Sequence, residues 1–449
     1  MKLGFLAALA ASSLALGAQA QEVGGGYRAP LIPLKTALYH TTFVKLGSNS
    51  IDGMLYEPEG AAGPKGRLAI VYSYPTPNFE FTPAPELASR GYRVLMIRHY
   101  GEDTSPLDGG DEVSRGVAYM RKLPGVERVI VMGHSGGGRM IAGYANIALN
   151  GPSGCQQREV IYPCRTEQVA GWSKPDGVIL LDPPPGAPQG LSGIDPAYSP
   201  KGRIAALDMY NPANGYDPKT GSAHYSAAFI KRWSEAQAMR ADAYVKKAIA
   251  RLKAIESGKG DFSDDEPFVI PGANNGLGIP RLYQNDLSLQ EHTKKPFMLL
   301  KADGSNSVQI IHTTRPATGL RDSRGVGTLS RGAYNTTVRR FLANYAARVT
   351  KDFVLTSDDI VGIDWRSTNR STPGSAEGIT VPTLIVTMGC NDLIVPGEIT
   401  YDHLAAKDKT LVTVEGAAHQ FNPCKPEYGN TQKRTFDFVD GWLAKPGRF

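Results

Sequence analysis

The run Arg128-Val-Ile-Val-Met132 leads directly into Gly133-His-Ser-Gly-Gly137, and a helix-forming stretch follows from Gly138 to Leu149. A serine between a buried strand and a helix must sit on a sharp turn whose backbone dihedrals most side chains avoid. Small neighbours on both sides are needed for that turn to close, and Gly133 and Gly137 provide them. The motif therefore demands an entering strand, a departing helix, and Ser135 at the bend between them.

The surrounding chain fits that demand. Residues 41–57 read as a hairpin, and Leu68–Tyr72, Arg93–Ile97 and Gly177–Leu181 as short buried strands. Helical stretches at 83–90 and 111–123 lie between them, the first stopped by Gly91. Strands alternating with helices predict a mostly parallel sheet covered on both faces. The alternation is lost from about 187 to 350 and resumes with strands at 383–387 and 411–414 and a helix at 433–443. The interruption contains a long helix near 227–256, with Val245, Ala248, Ile249, Leu252 and Ile255 as its apolar stripe, and a second helix expected near 331–348. We read residues 21–186 and 351–449 as an α/β core and 187–350 as a large, mainly helical cap inserted into it.

The N-terminus, Met1-Lys2 followed by apolar and small residues and then Ala18-Gln19-Ala20, has the layout of a cleavable secretory signal. It predicts cleavage near Ala20 and a mature protein in the periplasm or outside the cell. The apolar run is short for a membrane span, and no cysteine follows it to carry a lipid, so no stable membrane anchor is expected. The formal net charge of +6 is scattered rather than gathered in a stripe, which argues against nucleic-acid binding. Four cysteines in an exported chain suggest two disulfides, with three pairings possible; local spacing favours Cys155 with Cys164, leaving Cys390 with Cys424.

A serine hydroxyl is a poor nucleophile until a base takes its proton, and the base needs an orienting carboxylate. Downstream strands deliver both residue types. The strand 383–387 runs into Met388-Gly-Cys-Asn-Asp392, and the strand 411–414 into Glu415-Gly-Ala-Ala-His419. Asp182, at the end of the strand 177–181, is a rival acid, but three prolines follow it and read as a rigid rim. We therefore favour Asp392.

With these segments together, the chain resembles the α/β-hydrolase fold serine hydrolases of the secreted esterase and lipase type. The resemblance rests on Gly91-Tyr-Arg-Val-Leu-Met-Ile97, Gly133-His-Ser-Gly-Gly137, Val381-Pro-Thr-Leu-Ile385, Asn391-Asp392 and Ala418-His419. It implies Ser135 as nucleophile, His419 as base, Asp392 as orienting acid, and hydrolysis of a carboxylic ester or lactone through an acyl-enzyme. It implies two backbone donors for the oxyanion: Gly136, and one from the loop after Leu68–Tyr72. That loop reads Tyr74-Pro75-Thr76 where the family commonly has His-Gly; Pro75 has no N–H, so Thr76 is the expected donor, with the Tyr74 phenol as alternative. By comparison with cutinase-type esterases, a Cys390–Cys424 bridge would tie the acid loop to the base loop. The same triad also serves amide or C–C hydrolysis and acyl transfer, and an inactive binding protein could keep the fold.

The remaining candidates are weaker. His134 and His99 flank the expected site, and Tyr198 and Trp233 belong to an aromatic set in the insertion that suits either a cap core or a pocket for a bulky or aromatic group of a small or polymeric ester. Asp261, Asp264, Asp265 and Glu266 have no calcium-loop spacing and read as a solvated loop. Neither a metal nor an organic cofactor is expected.

Overall fold

The computed structural model describes residues 38–47, 52–60, 63–75, 82–97, 107, 109–273, 282–315 and 333–449. The expected signal segment, Thr76 and His99 lie outside the described residues.

The first six strands are β1 (Tyr39–Lys45), β2 (Asp52–Pro58), β3 (Leu68–Ser73), β4 (Arg93–Ile97), β5 (Arg128–His134) and β6 (Gly177–Leu181). The insertion contributes β7 (Pro267–Pro271), β8 (Phe297–Leu300), β9 (Asn306–Gln309), β10 (Ala333–Thr337), β11 (Val349–Leu355) and β12 (Ile360–Ile363). The chain then completes the sheet with β13 (Thr383–Met388) and β14 (Lys409–Val414). Ten strands form one sheet in the order β1-β2-β4-β3-β5-β6-β13-β14-β8-β9. From β4 to β8 every pairing is parallel; the edge pairings β1–β2, β2–β4 and β8–β9 are antiparallel.

The period of two in each central strand sends side chains alternately to two cores. Ile70, Tyr72, Ile130, Met132 and Ile179 face the helices Pro83–Ala88 and Thr431–Leu443. Ala69, Val71, Val129, Val131 and Val178 face the helices Gly110–Met120 and Gly136–Asn150. Each Val, Ile or Met side chain so withdrawn from water contributes about 1.5–3 kcal/mol. The strand ends that carry the site are thus anchored in two packed layers. This is the mostly parallel sheet, covered by helices on both faces, that the alternation predicts.

The insertion departs from expectation in two places. The helix expected over 331–348 is β10 followed by a shorter helix, Val338–Asn344. Tyr334, Thr336 and Thr337 favour extended backbone, the segment pairs with β7, and Thr337 then caps the helix by accepting the Arg340 N–H at 3.3 Å. Nor is the insertion all cover: β8 pairs parallel with β14 and extends the main sheet. Its own core joins Val245 and Ala248 of the helix Ala227–Glu256 to Phe341, Phe353 and Ile360, so it runs past residue 350. The acidic cluster is structural rather than wholly solvated. Buried Glu266 accepts two N–H bonds from Arg251, at 2.7 and 2.6 Å, and the Asp265 carboxylate accepts the Arg339 N–H at 3.0 Å.

Candidate active site

Ser135 follows the last residue of β5 and precedes the helix Gly136–Asn150. Its backbone has φ 57° and ψ −130°, a conformation a serine adopts only at a cost of about 1–3 kcal/mol. Two contacts explain the flanking glycines. A Cβ on Gly133 would lie 2.2 Å from the Gly137 carbonyl oxygen, and one on Gly137 2.2 Å from the Ser73 carbonyl oxygen. Backbone bonds fix the bend: Ser135 N–H donates to the Leu181 carbonyl at 3.0 Å, and Gly138 N–H to the Ser135 carbonyl at 2.8 Å.

His419 sits in the loop after β14, its Nδ1 2.5 Å from Oδ2 of Asp182. Asp182 is the first residue after β6, fully buried, at φ 48°. Its N–H donates to the Val386 carbonyl at 2.7 Å. Its Oδ1 accepts the Met388 N–H at 3.1 Å, and its Oδ2 accepts Nδ2 of Asn391 at 2.5 Å. Asn391 Nδ2 also lies 3.1 Å from His419 Nδ1. With the Nδ1 proton directed at Asp182, two donors face one carboxylate oxygen, and the 3.1 Å approach is a consequence of that sharing.

The expected acid, Asp392, is therefore corrected: the carboxylate at His419 Nδ1 belongs to Asp182. The two candidates sit at the ends of neighbouring strands, and direction decides between them. Asn391 turns toward Asp182 and His419, while Asp392 lines a cleft with Pro185, Glu291, Leu393 and Pro396. Its charge there acts on Glu291, which burial pushes up to about 7 against the pull of Arg315. The Arg315 Nε donates to both Glu291 carboxylate oxygens, at 3.2 and 2.9 Å. Sequence reasoning missed Asn391, though it is the residue beside the one chosen.

Among the described residues the three non-glycine positions with positive φ are Ser135, Asp182 and Phe421. All three fall at or within two residues of Ser135, His419 and its carboxylate, so the strained backbone positions cluster around these three residues. His134 supports this site and is no pocket wall. It is fully buried, stacked on Tyr74 and tilted against His419 and Phe421. Its Nε2 lies 2.8 Å from the His419 carbonyl oxygen, which can only accept, so Nε2 carries the proton. Burial, reinforced by the nearby His419, holds the His134 imidazole well below its usual range and keeps it neutral.

The backbone N–H of Gly136 opens the helix, and Pro75 passes close beside it: a Cβ on Gly136 would meet Pro75 Cγ at 3.0 Å. The loop expected to bring the second donor thus runs next to the first. The Tyr74 phenol accepts from Gln420 Nε2 at 2.9 Å, which braces the residue after His419. Cys390 is bonded to Cys424, with Cα atoms 6.3 Å apart, and Cys155 to Cys164, 5.6 Å apart. The first bridge joins the Asn391 loop to the chain beyond His419. Backbone bonds from Cys390 N–H to Ala417 O (2.8 Å) and from Cys424 N–H to Gly416 O (2.9 Å) run alongside it.

Of the insertion candidates, Trp233 lines a cavity with Ile230, Ser234 and Gln237. Tyr198 instead lies under the Arg240 guanidinium, 4.9 Å from its ring, and belongs to neither cleft described here. Among the described residues no group of three or more His, Cys, Asp or Glu side chains is arranged to hold a metal ion. No described helix is long and apolar enough to cross a membrane.

No protein-family profile matches the chain, and no curated protein does. Solved structures with a similar course include a hypothetical protein from Pseudomonas aeruginosa (14% identity, TM-score 0.41, covering 92% of this chain and 95% of that one). A monoglyceride lipase from Saccharomyces cerevisiae is similar at 13% identity and TM-score 0.40, covering 93% of this chain and 99% of that one. A bacterial brefeldin A esterase is similar at 15% identity and TM-score 0.38, covering 93% and 80%. Likeness at this level leaves the chemistry to the geometry of the site itself.

Proposed function

We propose that the protein is an exported serine hydrolase that cleaves a carboxylic ester or lactone through Ser135, His419 and Asp182. The observation that carries this reading is the 2.5 Å approach of Asp182 to His419 Nδ1, in a fold that holds Ser135 at a strained strand–helix turn. With Nδ1–H given to Asp182, Nε2 is the basic nitrogen and takes the Ser135 proton as the hydroxyl attacks the carbonyl. Charge developing on the substrate oxygen falls to the Gly136 N–H and to a donor from the Tyr74–Thr76 loop. The protonated imidazole, steadied by the Asp182 carboxylate, returns the proton to the leaving alcohol. A water activated by His419 then releases the acyl group from Ser135. Export is supported by the N-terminal pattern and by two disulfides, which persist in oxidising compartments.

The direct test is covalent. A fluorophosphonate probe should label the protein at Ser135, and Ser135→Ala should lose both labelling and turnover of a short nitrophenyl ester with an unchanged circular dichroism spectrum. Labelling elsewhere, or full turnover by the variant, would end the reading.

A further inference from the structure

A segment of the insertion, residues 311–315, runs beside the loop that follows β13 and carries Asn391, and two of its threonines bond that loop. Thr314 gives its backbone N–H to the Gly389 carbonyl at 2.7 Å and its hydroxyl to the same oxygen at 3.2 Å. Thr313 Oγ1 lies 3.1 Å from the Gly389 carbonyl oxygen and 3.0 Å from that of Asn391. A hydroxyl has one proton to give, and a carbonyl oxygen has two lone pairs. Thr314 already supplies Gly389 twice, so the Thr313 proton falls to the Asn391 carbonyl. Thr313 is 4% exposed, which leaves little room for water to take its place.

The segment is itself held on its other side. Thr313 N–H donates to the Glu291 carbonyl at 2.9 Å, and Thr293 N–H to the Ile311 carbonyl at 2.9 Å. Ile311 N–H returns a bond to Thr293 Oγ1 at 2.9 Å, and Gln290 Nε2 donates to the Arg315 carbonyl at 2.8 Å. The Glu291–Arg315 pair lies at the end of this strap. The strap therefore fixes where the Thr313 hydroxyl stands, and the hydroxyl fixes the Asn391 carbonyl. From the same residue the side chain reaches Asp182 Oδ2 and His419 Nδ1. Asn391 thus takes the strap on its backbone and meets the imidazole with its amide, and a turn of its peptide plane would carry that amide with it.

We infer that Thr313 is a positioning residue for the His419 imidazole, acting through Asn391, so that a segment of the insertion belongs to the frame of the site. That this positioning serves catalysis rests on the hydrolase reading; the coupling of Thr313 to His419 does not. A hydrogen bond of this kind is worth enough to change a rate about three- to tenfold.

The test is Thr313→Val, which keeps the shape and removes the hydroxyl, with Thr313→Ala as a second route to the same loss. On a nitrophenyl ester kcat should fall about three- to tenfold with KM unchanged. In protein labelled with 15N at the histidines, the His419 Nδ1–H resonance, assigned by its loss in His419→Gln, should shift. Thr313→Ser, which restores the hydroxyl, should return both kcat and the resonance to the parent values. Thr383→Val is the control: it removes a buried hydroxyl, bonded to the Val381 carbonyl at 2.9 Å, at the opposite end of β13, and should move neither. A parent resonance in Thr313→Val, a serine variant as impaired as the valine one, or an equal effect of Thr383→Val would overturn the inference. A shifted resonance with kcat unchanged would overturn the catalytic role. Because the resonance needs no turnover, failure of ester hydrolysis and failure of this coupling are separate results.

Discussion

Asp182 reaches His419 because its own backbone, at φ 48°, turns the side chain off the line of β6 and into the gap between β5 and β13. Three N–H donors then converge on its two oxygens: His419 Nδ1, Asn391 Nδ2 and the Met388 amide. Hydrogen bonds to a charged group are worth about 1.5–3 kcal/mol. Asn391→Ala should therefore lower kcat about ten- to a hundredfold while leaving the unfolding midpoint within a few degrees, measured on a nitrophenyl ester. A second buried carboxyl gives a pH signature. Glu291 titrates near 7 in the folded protein against 4.5 for the unfolded group. Between those values the folded state holds the extra proton, so this contribution to stability is full below about 4.5 and is lost as pH rises toward 7. Urea unfolding of Glu291→Gln across pH 4.5–7 should show a flatter profile than the parent, by up to about 3 kcal/mol. An unchanged slope would remove Glu291 as the group responsible. At this scale the placement of Ser135 on a strand–helix turn and of His419 after a strand was legible, since a turn motif and a strand-end histidine carry their own context. The choice of acid was not, because strand order allows either Asp182 or Asp392 and the sequence does not show that adjacent Asn391 and Asp392 point different ways.

The loops that carry the site are stapled as elements. The Cys390–Cys424 bridge closes a separation of 34 residues and spans the Asn391 loop and the His419 loop. A loop of that length is worth about 4 kcal/mol in the chain-entropy picture. A Cys390→Ala, Cys424→Ala double variant should lose about that much stability in urea unfolding and should lose activity at temperatures where the parent retains it. A double variant as stable and as active as the parent would contradict the role given to the bridge. Elements with strong local signals were readable to within a few residues: the helix Ala227–Glu256 has a capping Ser226 and a buried stripe, and β5 has an unbroken apolar run. β10 was mistaken for helix because its identity comes from pairing with β7, some sixty residues away. Likewise nothing local announces that β8 leaves the insertion to extend the sheet beside β14.

At the scale of the whole molecule, the parallel core supplies a rigid platform for the strand ends that carry Ser135, Asp182 and His419. The proposed catalytic residues sit at the C-terminal ends of β5, β6 and β14, where an open parallel sheet leaves a crevice for ligands. The break in alternation was legible, but the packing within that stretch was not, since it depends on which distant side chains meet. The central claim is that Ser135 works through His419 held by Asp182. It is tested most directly by comparing kcat for Asp182→Asn and Asp392→Asn on one nitrophenyl ester. An amide in place of the orienting carboxylate favours the wrong imidazole tautomer, so Asp182→Asn should fall about ten-thousandfold and Asp392→Asn less than about tenfold. The reverse order, with Asp392→Asn inactive and Asp182→Asn near the parent rate, would contradict the account.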